Sequence, residues 1–375
     1  MRRIIFLTDD FFPRSGAVSG YIENIIILTQ KAFLNADIVL VARNNKLENC
    51  SLSKIRFVNI DSDNRIDFIK KMIRAIDKLN IVEEDIIFNF VIKPENQVFI
   101  YLKLYRNRGR VISYFGELFD LKYFGVSIVG MLKYLRYIVG FYIRSCYDNA
   151  VVVSTYLQKK LRIENIICIP PMCNMNEGLL RNVSEKKWDN VNFIYPGSDK
   201  KKDRIESIIE VFGQLSKTRS DVKLHITGVK NEKEMFSNKI EKLVNDGIII
   251  THGWLSNDEY NELLAKMDFC IIIRDKQQSS MANFPSKVPE TMQYGIIPIV
   301  SSIGDYTELY LNNNNSFIVE GSEVDKFYLK ILEILNMEPA ELEAIHYESS
   351  KIAYDKFDID NWVKIFHEYI CRVFY

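Results

Sequence analysis

Several features that would place a protein at once are missing from this sequence. Its formal charge is zero, with 49 Lys and Arg against 49 Asp and Glu, so the composition carries no basic excess of the kind that nucleic-acid binding calls for. The six cysteines, Cys50, Cys146, Cys168, Cys173, Cys270 and Cys371, show no CxxC spacing, and none sits with a histidine in a metal-ligand pattern. They read as reduced, mostly buried thiols of a cytoplasmic protein, not as a disulfide framework or a zinc site. No aspartate-rich metal motif is present, and neither a metal nor another cofactor is expected. No membrane span is expected either. In residues 121–147 the longest uncharged run is 123–132, about half of the roughly 20 residues a helix needs to cross a bilayer. The opening MRRIIFLTDDFFP has two arginines and then a short apolar run before Asp9, which suits a first β-strand and not a signal peptide.

What is present is an ordinary globular composition, 47% hydrophobic and 26% charged, in a chain long enough for two domains of roughly 150 to 200 residues each. Charge is unevenly spread: residues 1–180 carry a net +7 and residues 181–375 a net −7. The first half is suited to face something anionic, such as a membrane surface or a pyrophosphate-bearing acceptor; the other reading is that the two halves attract each other.

Short apolar runs alternate with helical patterns: RIIFLT, a helix over residues 21–32, DIVLVA, a helix over 68–78, DIIFNFV, RVISYF, a long helical segment, NAVVVS and IICIP. The alternation pauses at Pro170, Pro171 and the polar stretch 174–190, then resumes with VNFIYPG, KLHITG, GIIITHG, FCIIIR and IIPIVSS. This predicts an α/β protein of two doubly wound, Rossmann-like domains with parallel sheets. Strands of the second half end in Gly197, Gly228 and Gly253, where small residues let backbone amides approach a phosphate, although a turn after a strand favours glycine for its own sake. The final IDNWVKIFHEYICRVFY predicts an amphipathic helix packed back on the body. Residues 121–147 combine Lys122, Lys133, Arg136 and Arg144 with aromatics and no acid, the composition of a helix lying on an anionic membrane surface. The alternative is a helix packed on the sheet with its cations in water.

Four stretches bear on chemistry. In FFPRSGAVSGYIENIII a strand runs into a loop with Gly16, Ser19 and Gly20 and then a helix near residue 21; amides there can meet an anion, but the spacing is neither a dinucleotide fingerprint nor a P-loop. In NFIYPGSDKKKDRIESIIEVF a buried strand, Gly197, Lys200 to Lys202 and a helix from about Arg204 would bring ammonium groups and a helix N-terminus together over a diphosphate; the plain alternative is a solvated charge run. In CIIIRDKQQSSMANFPSKVPETMQYGIIPIV, Arg274 follows a strand. Lys287 stands three residues before Glu290, so both lie on one side of a short helix starting near Pro285 and Ser286. Glu290 suits the vicinal hydroxyls of a ribose, while Lys287 and Arg274 neutralise phosphate; the plain alternative is an ion pair between Lys287 and Glu290. In SSIGDYTELY, Asp305 and Glu308 read as caps of the next helix.

The succession FLTDDFFPRSG, DNAVVVSTYL, IPP, IYPGSDKKKD, GWLSNDEYNELLAKMDFCIIIR and PSKVPETMQYGIIPIVSSIGDYTEL resembles the bacterial family 4 glycosyltransferases, from residue 4 to about 320. The resemblance implies the GT-B fold, with the active site in a cleft between two Rossmann-like domains. Residues 1–180 would bind acceptor, residues 181–355 nucleotide sugar, and 356–375 would be the C-terminal helix. It also implies a retaining sugar transfer from a nucleotide-diphosphate sugar to a glycan or lipid-pyrophosphate-linked acceptor in surface polysaccharide (capsule or O-antigen) synthesis, in the cytoplasm or on the inner face of the membrane. Carried over, Gly16 contacts donor phosphate, Lys202 binds the diphosphate, Glu290 holds the ribose and Gly253 lies near the nucleobase. Gly197, Arg274, Ser286 and Lys287 complete the donor site, and Arg274, Lys202 and Glu117 are the catalytic candidates. Two departures stand out: Ala282 occupies the place of the family's other glutamate, and ISYFGELFD lacks the family's histidine, leaving Glu117 as the polar group there. The competing readings are a non-catalytic GT-B protein that binds a nucleotide sugar or stabilises a partner, and a sugar-nucleotide epimerase.

Overall fold

The computed structural model describes residues 3–13, 16–44, 52, 54–62, 64–175, 188, 190–197, 202–228 and 238–375. The chain divides into two units, residues 1–172 with 359–375, and residues 173–358. In the first, β1 (Arg3–Phe12), β2 (Asp37–Asn44), β3 (Ile55–Asn59), β4 (Ile86–Phe90), β5 (Val111–Phe115), β6 (Asn149–Val152) and β7 (Asn165–Cys168) form a parallel sheet in the order β3-β2-β1-β4-β5-β6-β7. In the second, β8 (Val191–Pro196), β9 (Val222–Thr227), β10 (Ile249–Thr251), β11 (Phe269–Ile272), β12 (Ile297–Ser301) and β13 (Phe317–Val319) form another, ordered β10-β9-β8-β11-β12-β13. The expected pair of doubly wound domains is present. Each sheet changes its direction of strand addition between its first and fourth strands, β1/β4 and β8/β11, and the carboxyl edge at such a switch point is where these sheets hold ligands.

The strands form where unbroken apolar runs can be covered on both faces: β4, β5, β11 and β12 are buried along their whole length. In the second unit Phe193 and Phe269 stack with centroids 5.0 Å apart, and Phe212 from the helix Ile205–Leu215 meets Phe193 edge-on at 5.2 Å. That helix shares one core with the buried face of the helix Val324–Leu335.

Several element bounds differ from the sequence expectation for local reasons. The first helix, Ala17–Ala32, starts four residues before the expected residue 21, because Ser19 Oγ both accepts from the Gly16 amide and donates to the Gly16 carbonyl, each at 2.9 Å. The helix Arg65–Lys78 starts before residue 68 because the Asn64 side chain accepts from the Asp67 amide. The long segment splits into Leu121–Phe124 and Ile128–Arg144: Gly125, at φ +86°, ends the first, and Ser127 caps the second by accepting from the Gly130 amide. Not anticipated were the half-exposed edge strand β3, the short β13, and the helices Pro94–Leu104, Val324–Leu335 and Pro339–Ile352. The C-terminal helix Val363–Phe374 does pack back, on the first unit: Phe366 stacks on Phe88, and Tyr369 donates to the carbonyl of Asn165 at 3.1 Å.

Candidate functional site

The second unit's switch point holds a compact cluster of charge. Beyond β8 the backbone passes Gly197, and Asp203 pairs as an isolated antiparallel bridge with Arg274, two residues past β11; the Arg204 amide donates to the Ile273 carbonyl at 2.8 Å. These main-chain bonds hold Asp203 and Arg274 face to face. Arg274 Nε donates to Asp203 Oδ1 at 2.5 Å, and the Tyr195 hydroxyl donates to Oδ2 at 3.0 Å. Lys287 Nζ lies 3.7 Å from Oδ2 and 5.3 Å from the centre of the Tyr195 ring. Arg274 Nη1 donates to Asn283 Oδ1 at 2.9 Å, and its backbone amide donates to Ser301 Oγ at 2.9 Å.

Asp203 is 2% exposed and Arg274 5%. Burial pushes the Asp203 carboxyl up, but the charges of Arg274 and Lys287, with hydrogen bonds from Arg274 and Tyr195, outweigh it and hold the group below the ordinary carboxylate range. Asp203 is therefore ionised at neutral pH, held between Arg274 and Lys287.

Arg274 is ion-paired with Asp203, and Lys287, for which an ion pair with Glu290 was the plain alternative, faces Asp203. Gly197 has a new reason: a Cβ there would stand 1.9 Å from Lys287 Nζ, so the missing side chain makes room for the ammonium group. Ser286 precedes the six-residue helix Lys287–Met292 without capping it through its side chain; the Glu290 amide donates back to the Ser286 carbonyl at 3.2 Å, and Glu290 is half-buried. Lys202, half-buried, adjoins Asp203, while Lys200 and Lys201 lie outside the described residues. Ala282, fully buried, ends the short helix Gln278–Ala282. Asp305, 5% exposed, directly precedes the turn Tyr306–Tyr310.

Gly253 lies elsewhere on the same sheet, past β10. At φ +63° its carbonyl accepts from the Gly228 amide at 2.6 Å, joining the loops after β9 and β10. Beneath them the rings of His225 and His252 stack at 5.1 Å, with His225 Nδ1 2.9 Å from His252 Nε2. One of these nitrogens must keep its lone pair, and burial followed by His252 and Lys223 pushes His225 down to about 4. An unfolded chain takes up this proton near pH 6.5, the folded one only near 4. Stability is therefore expected to fall as pH drops through that window, by about 2–3 kcal/mol for this group. Urea unfolding at pH 7 and pH 4.5 checks it, His225→Gln losing less between the two than the wild type.

In the first unit, Gly16 is exposed at the start of its helix, with its amide taken by Ser19. Glu117 follows β5; its carbonyl accepts from the Tyr137 hydroxyl at 3.3 Å. Burial, with the charges of Glu117 and Tyr134 adding to it, pushes Tyr137 up to about 12 against the lowering effects of the Phe119 amide and Arg144. Arg144, 5% exposed, donates to the Tyr114 carbonyl. Asp9, at the β1/β4 switch point, accepts from the amides of Ile92 and Lys93 and from Asn96 Nδ2 at 2.9–3.1 Å, which seats the helix Pro94–Leu104. Sequence reading missed Asp9, Asp203, Tyr195 and Asn283. For Asp203 a signal existed in the acid that closes DKKKD ahead of a helix.

Among solved structures the chain is similar over its whole length to sucrose-phosphate synthase from Thermosynechococcus elongatus, with TM-score 0.75 and 14% identity, covering 100% of this chain and 99% of that one. HepE of Anabaena in complex with UDP-glucose gives TM-score 0.70 at 12% identity, covering 99% of each chain. WaaG, a glycosyltransferase involved in lipopolysaccharide biosynthesis, gives 0.70 at 13%, covering 97% and 98%. These likenesses define the fold as GT-B. Residues 177–351 match the family described as glycosyl transferases group 1, while no curated protein matches the chain. This family match lies within the second unit, and the protein is an enzyme of the glycosyltransferase class.

Proposed function

We propose that the protein is a retaining glycosyltransferase that moves a hexosyl group from a nucleotide-diphosphate sugar to a glycan or lipid-pyrophosphate-linked acceptor in bacterial surface polysaccharide synthesis, capsule or O-antigen, without a metal cofactor. The observation that carries this reading is the charge cluster at the β8/β11 switch point, where Arg274 and Lys287 face Asp203, Lys202 adjoins Asp203 in the chain, and Gly197 leaves room for the Lys287 ammonium group. As the bond from the sugar to the diphosphate breaks, negative charge grows on the leaving oxygen, and cations fixed beforehand stabilise it without reorganising. Glu290, one helical turn along from Lys287, takes the ribose hydroxyls, and Gly253 borders the base. The UDP-glucose complex of HepE, a neighbour in fold, favours a nucleotide sugar as donor. The test is a thermal-shift panel of UDP, GDP, ADP and CMP sugars on wild type and Glu290→Ala, followed by nucleotide release with and without acceptor. At about 100 times its Kd a ligand adds roughly 2.7 kcal/mol. A shift that Glu290→Ala abolishes, with release that requires acceptor, supports the transferase; release without acceptor points to an epimerase, and no shift with any sugar removes the donor-site reading.

The helix Ile128–Arg144 supports a reading of the place of action. Among the described residues no helix is long and apolar enough to cross a membrane. Yet this helix turns its apolar side outward: Ile128 is 79% exposed, Leu132 61% and Leu135 60%, with Val126 before it at 82%. The neighbouring helix Pro94–Leu104, which approaches it closely where Pro94 meets Gly140, adds exposed Phe99 and Leu102. Lys122 and Lys133 are exposed and residues 121–147 contain no acid, while Arg136 is paired with Glu95 of the helix Pro94–Leu104 at 2.9 Å; exposed apolar groups beside these lysines favour anionic lipid headgroups over an acyl layer. This face supports the reading of a cytoplasmic enzyme peripheral to the inner face of the cytoplasmic membrane. It is expected to co-sediment with phosphatidylglycerol-containing vesicles, with at least tenfold less bound after Lys133→Glu with Arg136→Glu. Equal recovery with neutral vesicles would remove this part of the reading.

A further inference from the structure

Asp203 has no oxygen to spare. Oδ1 takes Arg274 Nε, and Oδ2 takes the Tyr195 hydroxyl and faces Lys287 Nζ at 3.7 Å. The two cations are held differently. Arg274 is locked by Asp203 and Asn283, whereas Lys287 is beyond hydrogen-bond distance of Oδ2 and keeps 22% of its side chain exposed. A buried carboxylate that attracts the cations of an anion site competes with the anion. The competition matters most for the more highly charged ligand, because each added charge on the ligand multiplies the Coulomb contribution of the site.

In glycosyl transfer the bond between the sugar's anomeric carbon and the diphosphate oxygen breaks with its electron pair left on that oxygen, the acceptor hydroxyl oxygen bonds to the carbon, and the hydroxyl proton is released. The nucleoside diphosphate product thus carries one more ionisable oxygen than the donor. Resting on the donor-site reading above, we propose that Asp203 is the positioning residue that sets the anion affinity of this site. It orients Arg274 and draws Lys287 inward, so that the intact donor binds but the more charged nucleoside diphosphate leaves. Release of product limits turnover in many enzymes, and a site with two unopposed cations would hold it.

The test measures binding of inorganic pyrophosphate and of UDP to the full chain by titration calorimetry, in wild type, Asp203→Asn and Tyr195→Phe. Asp203→Asn removes the opposing charge and is expected to bind pyrophosphate at least tenfold more tightly. Its product-inhibition constant should fall more than its donor KM, and kcat should fall as product is retained. Tyr195→Phe keeps the carboxylate, removes its hydroxyl partner and leaves the ring under Lys287. The less satisfied carboxylate then pulls harder on Lys287, and pyrophosphate should bind three- to tenfold more weakly. Opposite signs in the two variants are the signature, since a purely structural role weakens both. Should Asp203→Asn fail to fold, Asp203→Ser, which also removes the opposing charge, takes its place with the same expected tighter binding of pyrophosphate. Unchanged or weaker binding by folded Asp203→Asn, or unchanged or tighter binding by Tyr195→Phe, overturns the proposal while the donor site stands. If the wild type itself binds neither pyrophosphate nor UDP, the donor-site reading falls and this inference with it.

Discussion

Arg274→Met is expected to destabilise the second unit by about 3–5 kcal/mol, because it strands a carboxylate that is 2% exposed with its principal cation gone. The Asn283 side chain and part of the Tyr195–Asp203 arrangement lose their anchor at the same time. For a unit of this size the loss corresponds to a melting-temperature drop of about 6–20 °C. The double variant Arg274→Met with Asp203→Leu should recover most of it, since replacing a buried ion pair by apolar side chains is close to neutral whereas removing one partner is not. Urea denaturation of both single variants and the double one measures this. A single-variant loss below about 1 kcal/mol would mean that Asp203 finds water or another cation, and that the pair does not hold the β8/β11 edge together.

Lys287→Met addresses chemistry instead of stability. Its ion pair with Asp203 is loose at 3.7 Å and partly exposed, so the melting temperature should move by only a few degrees. If Lys287 carries charge developing on the leaving diphosphate, kcat/KM should fall about 10²- to 10³-fold, which is roughly 2.7–4 kcal/mol of transition-state stabilisation. Lys287→Arg keeps the charge but presses a larger group into the space left by Gly197, and it should recover only part of the activity. A fall smaller than fivefold in Lys287→Met would assign the lysine to structure alone.

Legibility in the sequence followed the range of the interactions. Runs such as VNFIYP and FCII read as buried strands because parallel strands covered on both faces must be apolar throughout. The edge strand β3 did not, since IRFVN is half-exposed and mixes charged and apolar residues. Arg274, Lys287 and Gly197 could be picked out because each stands just past a strand or at the head of a helix, positions that a linear reading can see. The Asp203–Arg274 pair could not: its members are 71 residues apart, and nothing local to either predicts the other. The same holds for the helix Ile128–Arg144, whose composition was plain but whose outward-facing apolar side was settled only by which residues the fold buries, Gly130, Gly140, Phe141 and Arg144.

By itself the sequence determined the α/β class, the two doubly wound sheets, the returning C-terminal helix and the places of Gly197, Arg274 and Lys287 beside strand and helix ends, because periodicity and turn chemistry act over a few residues. Tertiary structure alone decided how those charges are balanced. The order β10-β9-β8-β11 places strands distant in sequence side by side, and in doing so it sets the buried carboxylate of Asp203 against the cations Arg274 and Lys287. Charge balance depends on distance in space and on burial, and neither quantity exists until the sheet has closed.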